Sequence, residues 1–178
     1  MTASMTHGNA DPSGAEEQTD PVNVARILVL RRLDSAPRTR AELESYLRKR
    51  GVPDEAAAEV LDRFEEVGLI DDAAYAQGWV SSRHGSKGLG RRAVAAELRR
   101  KGVAADIVAA ALEPIDEGQE RERARALAVA RLPQVLGLPY PTQVRRLMGA
   151  LTRRGYDVSM SSEVVRQVVA GETSAGVE

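Results

Sequence analysis

Cysteine is absent from the 178-residue chain, and histidine and aromatic residues are scarce. Without cysteine there can be no disulfides, no zinc sites built on thiolates and no cysteine nucleophiles. The only imidazoles are those of His7 and His84, and nothing else in the sequence indicates a metal site. We therefore expect neither a metal ion nor another cofactor. With one Trp, one Phe and four Tyr in the whole chain, an aromatic pair needs an explanation.

Long apolar runs are also absent. No segment approaches the ~18–20 apolar residues that a membrane-spanning helix requires. The first residues have neither the basic start nor the apolar stretch of a secretory signal. We expect a soluble, cytoplasmic protein that makes no membrane contact and is a monomer.

Charge is distributed unevenly along the chain. The formal net charge is −1, but residues 1–21 contain four acids and no Lys or Arg. Residues 22–171 carry +5 once the six acids at the two ends are set aside: Asp11, Glu16, Glu17, Asp20, Glu172 and Glu178. A mildly basic body is compatible with a nucleic-acid or nucleoprotein partner, although many helical proteins carry a similar charge.

A repeat is the main organising feature of the sequence. Three basic pairs followed by glycine end at Gly51, Gly102 and Gly155, with spacings of 51 and 53 residues. When these glycines are aligned, apolar residues recur eight and four positions before them and ten and thirteen positions after them. These offsets place the apolar residues on one helical face, and each glycine falls where a helix ends. The aligned residues are Leu43, Val94, Leu147; Leu47, Leu98, Leu151; Leu61, Leu112, Val165; and Phe64, Ile115, Val168.

The repeat predicts an all-α protein of three tandem three-helix units in an elongated, bowed array, in which each unit leans on its neighbours. We predict repeats at 22–70, 71–115 and 116–170, between an acidic disordered tail at 1–21 and a second disordered tail at 171–178. Eight predicted helices cover 24–33, 40–50, 53–67, 91–101, 104–113, 116–131, 143–154 and 158–169. A further helix, capped by Asp71 or Asp72, carries Tyr75 and Trp79. A linker with Pro133, Gly137, Pro139 and Pro141 precedes the helix at 143–154.

Catalytic patterns are missing. The sequence has no phosphate-binding Gly-x-x-x-x-Gly-Lys-Ser/Thr loop, no His-Glu-x-x-His pair and no Gly-x-Ser-x-Gly elbow. Acidic residues are scattered along the predicted helices beside arginines, an arrangement typical of solvent-exposed ion pairs between side chains of one helix. We therefore expect no catalytic residues and no enzymatic activity.

The candidate partner-binding residues are concentrated in the second unit. Tyr75, Trp79 and Arg83 share one helical face, either as part of the core with arginine at its rim or as an exposed ridge that anchors a partner. The glycine-rich segment 84–92 carries Lys87, Arg91 and Arg92. It is either a solvated connector or a loop that contacts phosphate or carboxylate groups.

Basic residues also cluster at the ends of the middle helices. Arg99, Arg100 and Lys101 precede Gly102, and similar groups precede the other two glycines. Such residues stabilise a helix C-terminus by roughly 0.3–1 kcal/mol each. Their repetition could also form a periodic positive stripe that follows an acidic filament or a nucleic-acid backbone.

One distinctive pattern spans residues 68–103: an Asp-capped aromatic helix, a short basic loop and a Leu-x-x-Lys-Gly turn. Its members are Gly68-Leu69-Ile70-Asp71-Asp72, Tyr75, Trp79, Arg83, Gly90-Arg91-Arg92 and residues 97–103. This pattern resembles the central signature of the RecX family, and the resemblance extends over about residues 22–170. It is strongest in the first two units.

The resemblance implies a helical regulator without an active site. RecX proteins bind the RecA recombinase and its filament on single-stranded DNA, and suppress its ATP hydrolysis and strand exchange. The implied setting is homologous recombination, DNA repair and the SOS response, with weak contact to single-stranded DNA phosphates as an additional expectation. The alternative from the residues themselves is a helical DNA-binding module that acts without RecA, because the middle and last helices of each unit are joined by glycine-bearing turns. The third helices offer mainly Ala, Val, Glu and Asp, which argues against base readout.

Overall fold

The computed structural model describes residues 20–175, and the side chains of residues 20–171. Within residues 20–175 the chain forms nine α-helices and no strand. Unit 1 contains α1 (Pro21–Ser35), α2 (Arg40–Lys49) and α3 (Asp54–Glu66). Unit 2 contains α4 (Asp72–Val80), α5 (Arg91–Arg100) and α6 (Ala105–Leu112). Unit 3 contains α7 (Glu117–Arg131), α8 (Tyr140–Arg153) and α9 (Val158–Ala175).

Each unit packs its three helices around its own hydrophobic cluster. All twelve apolar residues that align in the sequence repeat are buried. The glycines that define the repeat have φ angles of 75°, 81° and 83°, a left-handed conformation that ends each middle helix. The predicted all-α architecture of three tandem three-helix units is therefore confirmed.

Helix starts follow local hydrogen-bonding chemistry. Thr39 and Glu42 form a capping box at the start of α2. Asp71 caps α4 and Asp116 caps α7, each by accepting a backbone hydrogen bond from the first turn. Asp20 caps α1 in the same way.

Three predicted boundaries are wrong. Pro21 was assigned to the acidic tail but begins α1, because proline fits the first turn of a helix. For the same reason Pro141 lies inside α8, which begins at Tyr140 instead of residue 143. The predicted tail at 171–178 is also wrong over 171–175, since α9 continues to Ala175. The predicted tail residues 1–19 and 176–178 lie outside the described residues.

The connector after α4 differs from a simple loop. Residues Ser81–Ser86 continue α4 as one π-helical turn, and Gly88 follows it at a φ of 62°. His84, a residue of this turn, is buried, and its Nδ1 lies 2.8 Å from the carbonyl of Leu89. The predicted basic loop is therefore held against the body of unit 2.

Neighbouring units contact each other through their backbones and through polar side chains. At the first junction, between units 1 and 2, the start of α2 meets the turn after α5. Thr39 Oγ1 donates to the Lys101 carbonyl at 2.6 Å, and the Arg40 amide donates to Asp72 Oδ1 at 2.9 Å. A Cβ added to Gly102 would overlap the Ala41 methyl group. This glycine is therefore required twice, once for its φ angle and once for the close approach.

The second junction, between units 2 and 3, repeats this arrangement. The start of α5 meets the turn after α8, and the Gly90 amide donates to the Arg154 carbonyl at 2.8 Å. The Arg91 amide donates to Glu120 Oε1, also at 2.8 Å. A Cβ added to Gly155 would overlap the backbone of Ala93. Units 1 and 3 thus both dock on unit 2, which gives the elongated array.

Candidate partner-binding surface

Four of the predicted site residues meet beside the first junction. Tyr75 and Trp79 stack with ring centroids 5.7 Å apart and ring planes at 16°. The Arg83 guanidinium lies 4.2 Å from the Trp79 ring centroid, and the Lys101 ammonium lies 4.5 Å from it. Both cations are at cation–π distance, so they hold the tryptophan ring in place.

Acidic side chains hold this aromatic cluster in place through hydrogen bonds and ion pairs. Trp79 Nε1 donates to Glu97 Oε2 at 2.8 Å, and Arg83 Nε lies 3.0 Å from the same oxygen, a charge contact without hydrogen-bond geometry. Lys101 Nζ pairs with Glu42 Oε1 of unit 1 at 2.7 Å. Partial burial would lower the pKa of Lys101, but hydrogen bonds to Glu42 and Tyr75 raise it above its ordinary value. Lys101 therefore remains charged and links the two units.

Tyr75 and Trp79 are half-buried and pack against the hydrophobic cluster of unit 2. They also line the aromatic cleft, an opening of about 620 Å³ between units 1 and 2. Its mostly apolar lining comes from both units: Leu33, Ala36, Pro37, Arg38, Gly68, Leu69, Asp71, Ala74, Tyr75, Gly78, Trp79 and Lys101. The rings therefore complete a core, as one of the two sequence interpretations expects, and they also border an open cleft. That they anchor a partner stays a prediction.

A second opening, the basic cleft, lies at the same junction. It measures about 400 Å³ and shares Arg38 and Lys101 with the aromatic cleft. Its cationic lining is Arg32, Arg38, Lys49, Arg99, Arg100 and Lys101, against the single acid Glu42. Arg99 and Arg100 are exposed and have no ion pair with any residue from 20 to 171. Their guanidinium groups are therefore available to a partner.

Arg91 and Arg92 lie elsewhere, at the second junction. Arg91 Nη1 donates to the carbonyl of Ile115 at 3.1 Å, and Arg92 Nη1 lies 3.3 Å from Asp157 Oδ2 of unit 3. Lys87 is exposed, and its carbonyl accepts a hydrogen bond of 2.7 Å from Arg154. The predicted site is therefore divided, since one group of residues borders the clefts and the other joins units 2 and 3.

Sequence reasoning missed the acidic partners of these cations. Glu42, Asp72 and Glu120 each bond a residue of a neighbouring unit. Glu120 is 5% exposed, and its carboxylate completes the start of α5. No local pattern indicates such contacts. A weak signal was available for Arg38, which comes directly after the Ala36-Pro37 break between α1 and α2.

Two absences bear on the kind of site. No group of three or more His, Cys, Asp or Glu side chains among the described residues could hold a metal ion. In the same part of the chain, no helix has the length and apolar character needed to span a membrane.

Helical units in tandem, joined by polar junctions that open into clefts, define a class of helical-repeat proteins that present surfaces to other macromolecules. Family models described as the first and second three-helix domains of RecX match residues 25–64 and 71–112. Relatives named regulatory protein RecX are 48% identical in Streptomyces coelicolor and 44% identical in Mycolicibacterium smegmatis. The alignments cover 97% of this chain in both cases, and 94% and 97% of the respective relatives. The chain belongs to the RecX family.

Solved structures agree on the fold. RecX from Lactobacillus salivarius superposes with a TM-score of 0.77 at 20% identity, covering 85% of this chain and 98% of that one. A second structure, titled regulatory protein RecX, superposes with a TM-score of 0.73 at 23% identity, covering 82% and 71%. At these identities the likeness concerns the helical architecture alone. The relatives are named as regulatory proteins and not as enzymes.

Proposed function

We propose that this protein binds the RecA recombinase or its filament on single-stranded DNA and inhibits ATP hydrolysis and strand exchange. In this role it modulates recombination and DNA repair in the cytoplasm. The observation that carries the proposal is nearly full-length similarity to relatives named regulatory protein RecX, at 43–48% identity. The resemblance to the RecX family supplies the partner.

The features of the first junction favour a protein as the partner. Protein interfaces depend on a few aromatic and arginine anchors surrounded by polar groups. The aromatic cleft offers an apolar lining with Leu69 at its edge, 52% exposed. The basic cleft adds Arg99 and Arg100 beside it. An acidic and partly apolar protein surface is complementary to this combination.

Several weak contacts along the array would add up through avidity if the spacing of the units matches that of the filament subunits. A monomer that touches several subunits would inhibit at less than one copy per RecA. The test is RecA ATPase activity on single-stranded DNA with increasing amounts of the full chain. Absence of inhibition at equimolar protein would refute the proposal.

The choice of variants follows from the contacts. Reversing Arg83, Arg91 or Arg92 would break internal bonds, so loss of inhibition would not identify a binding surface. The better variant is Arg99→Glu with Arg100→Glu, because both side chains are exposed and free of ion pairs within residues 20–171. We expect at least a tenfold higher concentration for half inhibition.

The matched control reverses two arginines of α1, Arg26→Glu with Arg31→Glu, which are exposed and equally free of ion pairs. It changes the net charge by the same amount, so a general charge effect would weaken both variants equally. Such an outcome would exclude the basic cleft as the RecA-binding surface. Helical circular dichroism of both variants checks that they remain folded.

A further inference from the structure

Uncompensated positive charge is concentrated in unit 3, and apart from the basic pair before Gly155 it lies on residues not yet considered for a site. From residue 123 to residue 156 the sequence contains seven arginines and no Asp or Glu. Unit 1, by contrast, balances nine basic residues against nine acids over residues 22–70. An acid-free stretch of this length leaves its arginines without carboxylate partners nearby in sequence.

The fold gathers four of these arginines around one opening, the arginine cleft, of about 370 Å³. Arg131 comes from the end of α7, and Arg145, Arg146 and Arg153 come from α8. All four side chains are exposed, and none has an ion pair or hydrogen bond with a residue from 20 to 171. The cleft is therefore a concentration of free guanidinium groups.

The other linings of the arginine cleft are Gln134, Val135, Leu147 and Ala150. Val135 and Leu147 belong to the hydrophobic cluster of unit 3 and are 4% and 1% exposed. No aromatic ring lines the opening. The cleft thus lacks the apolar anchors typical of protein interfaces and the rings on which bases stack.

The spacing of the arginines favours a chain of anions. Arg145 and Arg153 are eight residues apart on α8, which is about 12 Å along the helix axis. A single phosphate or carboxylate cannot span this distance, but consecutive phosphates of a polynucleotide can. A guanidinium group can donate two parallel hydrogen bonds to the oxygens of one phosphate. Contacts with the phosphates of a nucleic acid carry no information about its base sequence.

We propose that the arginine cleft binds the phosphodiester backbone of nucleic acid without sequence preference. Unlike the proposed contact with RecA, this site is in unit 3 and acts on nucleic acid alone. The two proposals can therefore fail separately.

The test measures binding of the full chain to a fluorescent oligothymidylate by anisotropy, without RecA, over a range of salt concentrations. The variant carries Arg131→Gln, Arg145→Gln, Arg146→Gln and Arg153→Gln. We expect at least a tenfold loss of affinity. We also expect the slope of log affinity against log salt to fall by about 2–3, because each single-strand phosphate contact contributes about 0.7.

The matched control removes four exposed arginines of unit 1 that have no ion pair with a residue from 20 to 171: Arg26→Gln, Arg31→Gln, Arg32→Gln and Arg50→Gln. It changes the net charge equally and should alter affinity less than twofold. Equal losses in the two variants would overturn the proposal, as would no binding by the unchanged protein.

A competition experiment distinguishes phosphodiesters from other polyanions. Unlabelled oligothymidylate should displace the probe at concentrations at which poly-glutamate of equal charge does not. Equal displacement would show that the cleft recognises negative charge in general, which would overturn the assignment to nucleic acid. Helical circular dichroism of the variants must match that of the unchanged protein.

Discussion

The two junctions share a backbone arrangement but differ in their side chains. At both, the residue that starts a middle helix donates to the carbonyl that precedes a left-handed glycine of the next unit. The first junction uses the Thr39 hydroxyl as donor, and the second uses the Gly90 amide. Around these bonds, Lys101 and Glu42 form the ion pair of the first junction, whereas arginines dominate the second.

The second junction is the more extensively bonded of the two. Arg154 donates to the Lys87 carbonyl, Tyr156 Oη donates to the Gly88 carbonyl at 3.0 Å, and Arg123 donates to the His84 carbonyl. Burial and the nearby Glu120 charge raise the pKa of Tyr156, so its hydroxyl remains a donor. Units 2 and 3 are therefore joined closely, whereas the contact between units 1 and 2 is flanked by two open clefts.

This difference shows that the same repeat can form both a closed junction and a junction that is open to a partner. The glycine turns of units 2 and 3 dock in the same way, each against the middle helix of the preceding unit, whereas the turn at Gly51 has open space around it. Side chains then decide whether a junction is closed or open to a partner. The following predictions test this division.

Gly155→Ala should have the largest effect. Gly51, Gly102 and Gly155 all have positive φ, so alanine costs about 1–2 kcal/mol of strain at each. Only Gly51 has open space around it. At Gly155 the overlap with the Ala93 backbone should add about 1–3 kcal/mol. Urea unfolding followed by circular dichroism measures both losses, and equal values for Gly155→Ala and Gly51→Ala would argue against close docking.

Gly90→Ala isolates the contact from the strain. Gly90 has an ordinary φ of −69°, but a Cβ there would overlap the Gly155 carbonyl. We expect a loss of about 1–3 kcal/mol in the free energy of unfolding. Gly78→Ala is the control: this glycine lies within α4 with open space around it, so alanine should stabilise by about 0.5–1 kcal/mol. If Gly90→Ala were neutral, the second junction would be looser than the structure indicates.

Thr39→Val tests the first junction. The buried Thr39 hydroxyl accepts from the Glu42 amide and donates to the Lys101 carbonyl. Valine keeps the shape but loses both bonds, which should cost about 1–2 kcal/mol. Thr39→Ser retains the hydroxyl and should lose much less in the same urea titration. Similar losses for serine and valine would assign the effect to packing of the methyl group.

Lowering the pH should reduce the stability of unit 3 through protonation of Asp157. We expect this to be the smallest of the four predicted effects. Backbone hydrogen bonds from Ser159 and Met160, together with the Arg92 charge, hold the pKa of Asp157 below its ordinary value of 3.8. A lowered pKa in the folded state gives stability that is present above the unfolded value and is lost as pH falls through the folded one. The thermal midpoint of the unchanged protein should exceed that of Asp157→Asn near neutral pH and converge with it in strong acid. A gap that is constant with pH would exclude a charge effect.

Local chemistry could be predicted from the sequence wherever the interacting residues are close in the chain. The aligned apolar positions, the glycine turns and the Thr39–Glu42 capping box follow from helical periodicity and short-range hydrogen bonds. The wrong boundaries at Pro21 and Pro141 arise because proline ends helices in general but is accepted in their first turn.

The arginine cleft could have been found in part. The acid-free stretch of residues 123–156 is visible in the sequence, and it indicates uncompensated charge. That Arg131 lies beside Arg145, Arg146 and Arg153 could not be predicted, because it depends on how α7 packs against α8. The sequence-based choice of unit 2 for the candidate site stays a prediction.

By itself, the sequence determined the helical class, the threefold repeat and the residues that fill each core, because these depend on periodicities within one helix or one turn. Only the tertiary structure decided which cations are free. Arg83, Arg91 and Arg92 are bound to groups 14–65 residues away in the chain, whereas Arg99, Arg100 and the arginine cleft are not bound within the described residues. Ion pairing depends on distance in space, and that distance is set by the docking of whole helices.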